Sequence, residues 1–376
     1  MRRRVEAGGR RLWREAKVAL PGWITARVIV LGVIPFAHFI YNHTHVQAPS
    51  LDLHQGLLAW DGQWYEGIAK HGYAGIPRTG VRFFPLYPFA SRGLAFVFAH
   101  RYDVALLLLA NLPALLFGAL LVRLVRREGG DEGSASRAAW FVALVPSAFV
   151  LVFAYSEAIA GCLAVATFLA LRSKRWWSAA AAGFLSGLTR PSGALLAVPA
   201  MVEAARDLRG APARDIVGRL AAIGAPVAGV GVYLGWVGLR FGHAMLPIQI
   251  QQRVWLRGSS VNPVLSFFRA GRDALKGHFG GNGIHFPLLV VAVVLVVVVC
   301  RRWPASYGAY AVVTLVVAVS ASRLGSAERY IFTTFPFVLA IVSLTRSRRI
   351  ETGALVVSGA CMAGFATLAL LGAYVP

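Results

Sequence analysis

The residues best suited to chemistry lie in one polar stretch of an otherwise apolar chain. Asp61 sits inside Trp60-Asp61-Gly62-Gln63-Trp64-Tyr65-Glu66-Gly67-Ile68-Ala69, followed by His71-Gly72-Tyr73 and, after Arg82, by Phe83-Phe84-Pro85-Leu86-Tyr87-Pro88. A carboxylate set among aromatic rings can take the proton of an attacking hydroxyl; it can equally cap or tether a surface helix. Trp60, Trp64 and Tyr65 suit headgroup anchoring, the commoner use of such rings, or sugar stacking. His71 and Tyr73 either fix the loop or reach a substrate. Three later motifs carry further polar groups: Ala154-Tyr155-Ser156-Glu157, then Gly187-Leu188-Thr189-Arg190-Pro191-Ser192-Gly193, then Glu328-Arg329-Tyr330 ahead of Pro336. Each has an ordinary reading. Glu157 is a solvated acid in a short turn, Arg190 a bundle-facing or snorkelling cation, and Arg329 the partner of adjacent Glu328. His43, His45 and His54 have a spacing that fits no familiar metal site. No metal ligand set and no cofactor is evident from the sequence, and a divalent ion stays open.

The elements that must position these residues follow from composition. Of 376 residues 57% are apolar and 14% charged, with a mean hydropathy of +0.62, whereas soluble domains are about a quarter charged. The expectation is an all-α polytopic membrane protein, a single membrane domain over 1–376. Apolar runs bounded by charge place about eleven spans, near 20–41, 104–122, 138–154, 157–171, 177–190, 191–205, 220–239, 285–300, 305–322, 331–345 and 353–373. The net charge of +22 invites a nucleic-acid partner, but its distribution excludes one. With the N-terminus inside, the cytoplasmic segments hold 23 of the 38 Lys and Arg. That is the positive-inside bias of a membrane protein, and it accounts for the basic excess as topology and anionic-lipid contact. Seven of the first seventeen residues are basic and a long apolar run follows without a small-x-small cleavage site, which reads as a retained signal anchor. Odd topology would place Tyr374-Val375-Pro376 outside. Cys162, Cys300 and Cys361 fall within predicted spans and read as small apolar residues.

Two outer loops are long, 42–103 and 240–284, and long ordered loops are usually functional. Helical spacing from Leu57 to Lys70 puts Trp60, Trp64 and Ile68 on one face, with Asp61 and Tyr65 on the next. An amphipathic element on the outer leaflet is expected, holding Asp61 near the membrane surface. The stretch 85–99 is apolar but begins with two prolines and contains Ser91 and Arg92. A second interfacial or re-entrant helix fits it better than a span.

The first-loop pattern, the later motifs and their order along most of the chain resemble the PIG-V family. Its members transfer the second mannose in GPI-anchor synthesis, and they have bacterial relatives of this chain's size. The resemblance implies the GT-C class of multi-span glycosyltransferases, which use a lipid-phosphate-linked sugar on the extracytoplasmic side and typically carry an essential acid in the first outer loop. Asp61 matches that acid, and 85–99 matches the interfacial helices. The implied donor is polyprenyl-phosphate mannose. The implied acceptor is a hydroxyl of a glycolipid, cell-wall glycan or protein, since bacteria make no GPI anchors. An Ala-, Arg-, Gly- and Val-rich composition suits a bacterial plasma membrane, with the N-terminus cytoplasmic and the active site extracytoplasmic.

On that resemblance Asp61 is the base of an inverting displacement. Arg329, Arg190 and Arg82 are the cations for the leaving phosphate, whose oxygens the planar guanidinium fork matches. Trp60, Trp64, Tyr65, His71, Tyr73, Tyr87, Glu157 and Tyr330 complete the expected substrate-binding set. Three alternatives stand beside it: a secondary transporter or lipid flippase, which would carry ionisable residues near mid-membrane, a non-catalytic membrane scaffold, which would need no acid in such an aromatic loop, and a GT-C transferase for another sugar. The role of the 240–284 loop, with Gln249-Ile250-Gln251-Gln252-Arg253 and Trp255, is open; acceptor or lipid-tail contact is one reading.

Overall fold

The computed structural model describes residues 2–44, 50–208, 210, 212–279 and 281–374. His45 and the Val375-Pro376 end lie outside them. The described residues form α-helices and short 3-10 turns with no strand. The helices are α1 (Arg2–Thr44), α2 (Ser50–Gln55), α3 (Asp61–His71), α4 (Leu86–Ala95), α5 (Tyr102–Arg127), α6 (Glu132–Leu144), α7 (Glu157–Leu171), α8 (Trp176–Thr189) and α9 (Ala197–Ala204). They continue as α10 (Ala213–Phe241), α11 (Leu246–Gln251), α12 (Pro263–Leu275), α13 (Phe286–Arg302), α14 (Ala305–Val319), α15 (Ala327–Phe332), α16 (Phe335–Leu344) and α17 (Arg348–Leu370).

Each expected span contains helix, yet five helical stretches among the described residues are long and apolar enough to cross a membrane. They are Gly9–Thr44, Tyr102–Arg127, Ala213–Phe241, Asn282–Arg302 and Arg348–Leu370. Apolar helices over Glu157–Leu171, Pro191–Ala204, Ala305–Val319 and Phe335–Leu344 are shorter. A fifteen-residue helix reaches roughly 22 Å at 1.5 Å per residue, against about 30 Å of hydrocarbon. Of the eleven expected spans, five contain a helix of that length among the described residues, and the others hold shorter helices. Their apolar composition supports an integral membrane protein.

The segment expected at 138–154 departs most. Its helix stops at Leu144, ahead of Pro146, and 145–156 run on as buried irregular chain with one 3-10 turn. Buried carbonyls outside a helix need donors. The Leu151 carbonyl accepts from Arg27 Nη2 at 2.8 Å and the Val152 carbonyl from Asn111 Nδ2 at 3.0 Å. Arg27 Nε in turn donates to Asn111 Oδ1 at 2.9 Å. A cation in the middle of α1 and an amide in α5 thus hold the break open.

The first loop also departs from its expected form. The helix begins at Asp61, not Leu57, and Trp60 lies just outside it. Gly62, Tyr65, Ile68 and Ala69 are buried, so α3 is docked against the bundle. An aromatic core fixes it. Tyr65 stands edge-on to Tyr87 at 4.8 Å and to Phe83 at 5.1 Å, and Phe84 packs on Tyr233 of α10 at 4.5 Å. The Tyr233 hydroxyl donates to the Val81 carbonyl at 2.7 Å. The 85–99 stretch forms α4 and a 3-10 turn whose Phe89, Phe96, Val97 and Phe98 are exposed.

Close helix packing carries α8 and α10 past each other. A Cβ on Gly229 would collide with the Phe184 carbonyl oxygen, and one on Gly187 with the Pro226 carbonyl oxygen. Both obstacles are backbone, so neither can step aside. Gly229→Ala should cost about 1–3 kcal/mol or more through overpacking, seen as a lower midpoint in thermal unfolding of the detergent-solubilised protein.

Candidate functional site

Asp61 is aimed by the chain around it. Residues 59–62 close a turn in which Gly62 N donates to the Ala59 carbonyl at 3.3 Å. Trp60, with φ 59° and ψ −113°, fills the position that glycine favours in a type II′ turn. A non-glycine residue there stores on the order of 1–3 kcal/mol, and it persists because the surroundings hold it. Trp60 Nε1 donates to the Ala369 carbonyl of α17 at 2.8 Å. Ala154 N donates to the Leu57 carbonyl at 2.8 Å, and Asp61 N approaches the Tyr155 hydroxyl at 3.4 Å. The turn is pinned between α17 and the irregular segment that leads to Glu157.

Four chain-distant groups meet here. Arg329 Nη1 lies 2.6 Å from Asp61 Oδ2, and its Nε lies 3.3 Å from Glu157 Oε1. The same Glu157 oxygen takes Arg190 Nη1 at 3.0 Å. Glu157 is only 2% exposed and Arg329 7%, so this is a buried network in which each charge depends on the others. Glu157 Oε2 has no hydrogen-bond partner among the described residues. Tyr65 shares a hydrogen bond with Ser156 at 3.0 Å. The adjacent Glu328 pairs elsewhere, with His285 Nδ1 at 2.7 Å and with the Tyr374 hydroxyl, which donates to it at 3.0 Å.

Three guanidiniums face the Tyr330 ring: Arg257 at 4.9 Å, Arg190 at 5.1 Å and Arg329 at 5.3 Å from its centroid. Burial works to raise the Tyr330 phenol, but the charges of Arg329, Arg257 and Arg190 outweigh it and bring it down to about 8. Arg82 stacks on Phe83 at 4.7 Å, and burial lowers its own value against the opposing pull of Asp61.

These side chains line one cavity of about 650 Å³. Of the expected site residues, Trp60, Asp61, Tyr65, Arg82, Glu157, Arg190, Arg329 and Tyr330 border it. Trp64, His71, Tyr73 and Tyr87 do not. The Tyr73 hydroxyl donates to the Phe83 carbonyl at 2.6 Å and the Tyr87 hydroxyl to the Leu106 carbonyl at 2.8 Å. Both tyrosines are buried in the packing that holds the loop. Trp64 stacks on Phe83 at 5.9 Å, and His71 is exposed at the end of α3. Sequence reasoning missed Arg257, Tyr155 and Ser156 as site groups. Arg257 lies in the second loop, where nothing local distinguishes it from other loop arginines; Gln251, Gln252 and Trp255 of that loop border the cavity too. Among the described residues no group of three or more His, Cys, Asp or Glu could hold a metal ion.

No family model matches the chain, and no curated protein matches it. Among solved structures it is similar to an oligosaccharyltransferase of Archaeoglobus fulgidus, in a complex with Zn and sulfate. The TM-score is 0.41 and the identity 15%, over 78% of this chain and 44% of that one. The chain thus spans less than half the length of that protein.

The tyrosine cluster gives a direct measurement. Ultraviolet titration, comparing wild type with Tyr330→Phe, should assign to Tyr330 a phenolate that forms near pH 8, against about 10 for an ordinary tyrosine. Arg257→Gln should move that midpoint upward, because it removes one of the charges that favour the phenolate.

Proposed function

We propose that this chain is an integral membrane glycosyltransferase of the GT-C class, moving mannose from a polyprenyl-phosphate donor to an acceptor hydroxyl. The observation that carries the reading is one cavity in which a carboxylate, Asp61, stands among the guanidiniums of Arg82, Arg190, Arg257 and Arg329. Arg323 borders the cavity as well, and these five cations against Asp61 and Glu157 leave three positive charges. A phosphate monoester carries about −1.5 to −2 at neutral pH, so a positive excess favours the group that leaves over the singly charged diester that enters. Such a site favours the transition state, in which that charge develops.

The acceptor oxygen attacks the anomeric carbon and its proton passes to the Asp61 carboxylate. The bond from that carbon to the phosphate oxygen breaks with its electron pair, and polyprenyl phosphate departs with one more negative charge. Attack opposite the leaving group inverts the anomeric centre, the geometry of other single-displacement glycosyl transfers. An incoming phosphate competes with Asp61 for Arg329. Moving that guanidinium onto the phosphate frees the carboxylate for the hydroxyl, while Glu157 keeps Arg190 and Arg329 side by side against their repulsion. Tyr65 and Trp60 form the wall beside Asp61. The apolar second-loop residues bordering the cavity, Trp255 and Phe279 among them, suit the start of a polyprenyl tail.

Transfer should be assayed with purified protein, polyprenyl-phosphate mannose and a membrane lipid extract. Asp61→Asn that still elutes as wild type should lose about a hundredfold or more, the usual scale of base catalysis; full activity would remove Asp61 from the role. Uptake of the sugar lipid into vesicles without transfer would favour a transporter instead. Transfer should also decline above pH 8, where ionised Tyr330 neutralises part of the phosphate site, and Tyr330→Phe should abolish that decline.

A further inference from the structure

A second cavity, of about 830 Å³, lies at the other end of the bundle. Helix α7 starts at Glu157 in the first cavity, and Leu169 near its far end borders the second, roughly 18 Å away along the helix axis. Six arginines border it, Arg11, Arg14, Arg123, Arg126, Arg127 and Arg175, against the carboxylates of Glu15 and Glu132. Arg126 is occupied by Glu132 at 2.6 Å, and Arg127 donates to the Arg172 carbonyl. The side chains of Arg11, Arg14, Arg123 and Arg175 make no hydrogen bond or ion pair among the described residues. Two buried polar atoms at the cavity are also unpartnered: Glu15 Oε2, on a side chain in a residue 2% exposed, and Arg126 Nε. The floor is apolar, formed by Leu120, Ala166, Leu169 and Ala170.

We propose that this cavity binds the phosphate headgroup of an anionic phospholipid. The cluster has a net charge of four positive, and its free guanidinium forks match phosphate oxygens. A soluble anion would use the arginines and leave the floor bare, whereas a phospholipid places its first acyl carbons against Leu120 and Leu169. The site also lies at the basic ends of α1 and α5, two of the helices long enough to cross a membrane, where pockets of this kind take lipid headgroups. The inference does not depend on the transfer reaction.

The test is lipid retention by the purified full chain from mixed micelles of equimolar phosphatidylglycerol and phosphatidylcholine, read by native mass spectrometry. Wild type should retain the anionic lipid in excess. Arg14→Gln with Arg123→Gln should lose that excess by roughly fivefold for each arginine removed. Arg348→Gln with Arg349→Gln, exposed at the start of α17, should retain it. Equal retention of both lipids by wild type overturns the proposal whether or not any variant folds. So does an equal loss in the Arg348 and Arg349 pair, which would mean diffuse surface charge. Displacement of the lipid by millimolar inorganic phosphate would assign the cavity to a soluble anion and overturn it as well.

Discussion

The shared guanidinium of Arg329 is the contact on which the arrangement depends. A buried guanidinium costs several kcal/mol in desolvation unless carboxylates surround it, and Arg329 meets that demand with Asp61 from the first loop and Glu157 from the start of α7. Glu157 then recruits Arg190 from the end of α8. Four segments far apart in sequence are thereby held at one point, and none of these charges is tolerable without the others. The pairing also keeps Arg329 away from its sequence neighbour Glu328, which His285 and Tyr374 occupy on the other side.

Glu157 reaches that point because α6 and α7 do not join into a single helix. A continuous helix through 145–156 would satisfy its own backbone but could not bring Tyr155, Ser156 and Glu157 together beside Asp61, since helical neighbours point about 100° apart. The break exposes carbonyls to an apolar interior, and Arg27 with Asn111 supplies the donors. The polar pair inside two membrane-length helices is thus the structural counterpart of an irregular segment that a lipid environment would otherwise forbid.

Much of this was legible in the sequence, and what was not has physical causes. Apolar runs located the helices, because burial in lipid leaves a strong compositional mark. They did not distinguish a crossing helix from a short one packed inside, since α16 and the 286–300 stretch of α13 both lack charged residues. The aromatic stretch around Asp61 marked the loop that borders the cavity, but periodicity assigned Trp60 to a helix face because it carries no information about a left-handed residue one step before the helix. Tyr73 and Tyr87 looked like ligand contacts for the same reason that they pack well: a ring with a hydroxyl serves a buried carbonyl as readily as a sugar. Arg257 was unreadable because its relation to Tyr330 is purely tertiary. Arg329 was a candidate cation by its position near a span end, while its partners Asp61 and Glu157 followed only from the fold.

The turn at Trp60 bears on how this protein can vary. Two demands fall on one residue: a dihedral that suits glycine, and an indole that reaches the Ala369 carbonyl. Glycine satisfies the first and forfeits the second; phenylalanine loses the indole N–H without easing the dihedral. Drift at position 60 is therefore boxed in from both sides, and a change there is tolerable only when α17 changes with it. The segments 57–62 and 366–370, though more than 300 residues apart, should evolve as a single unit.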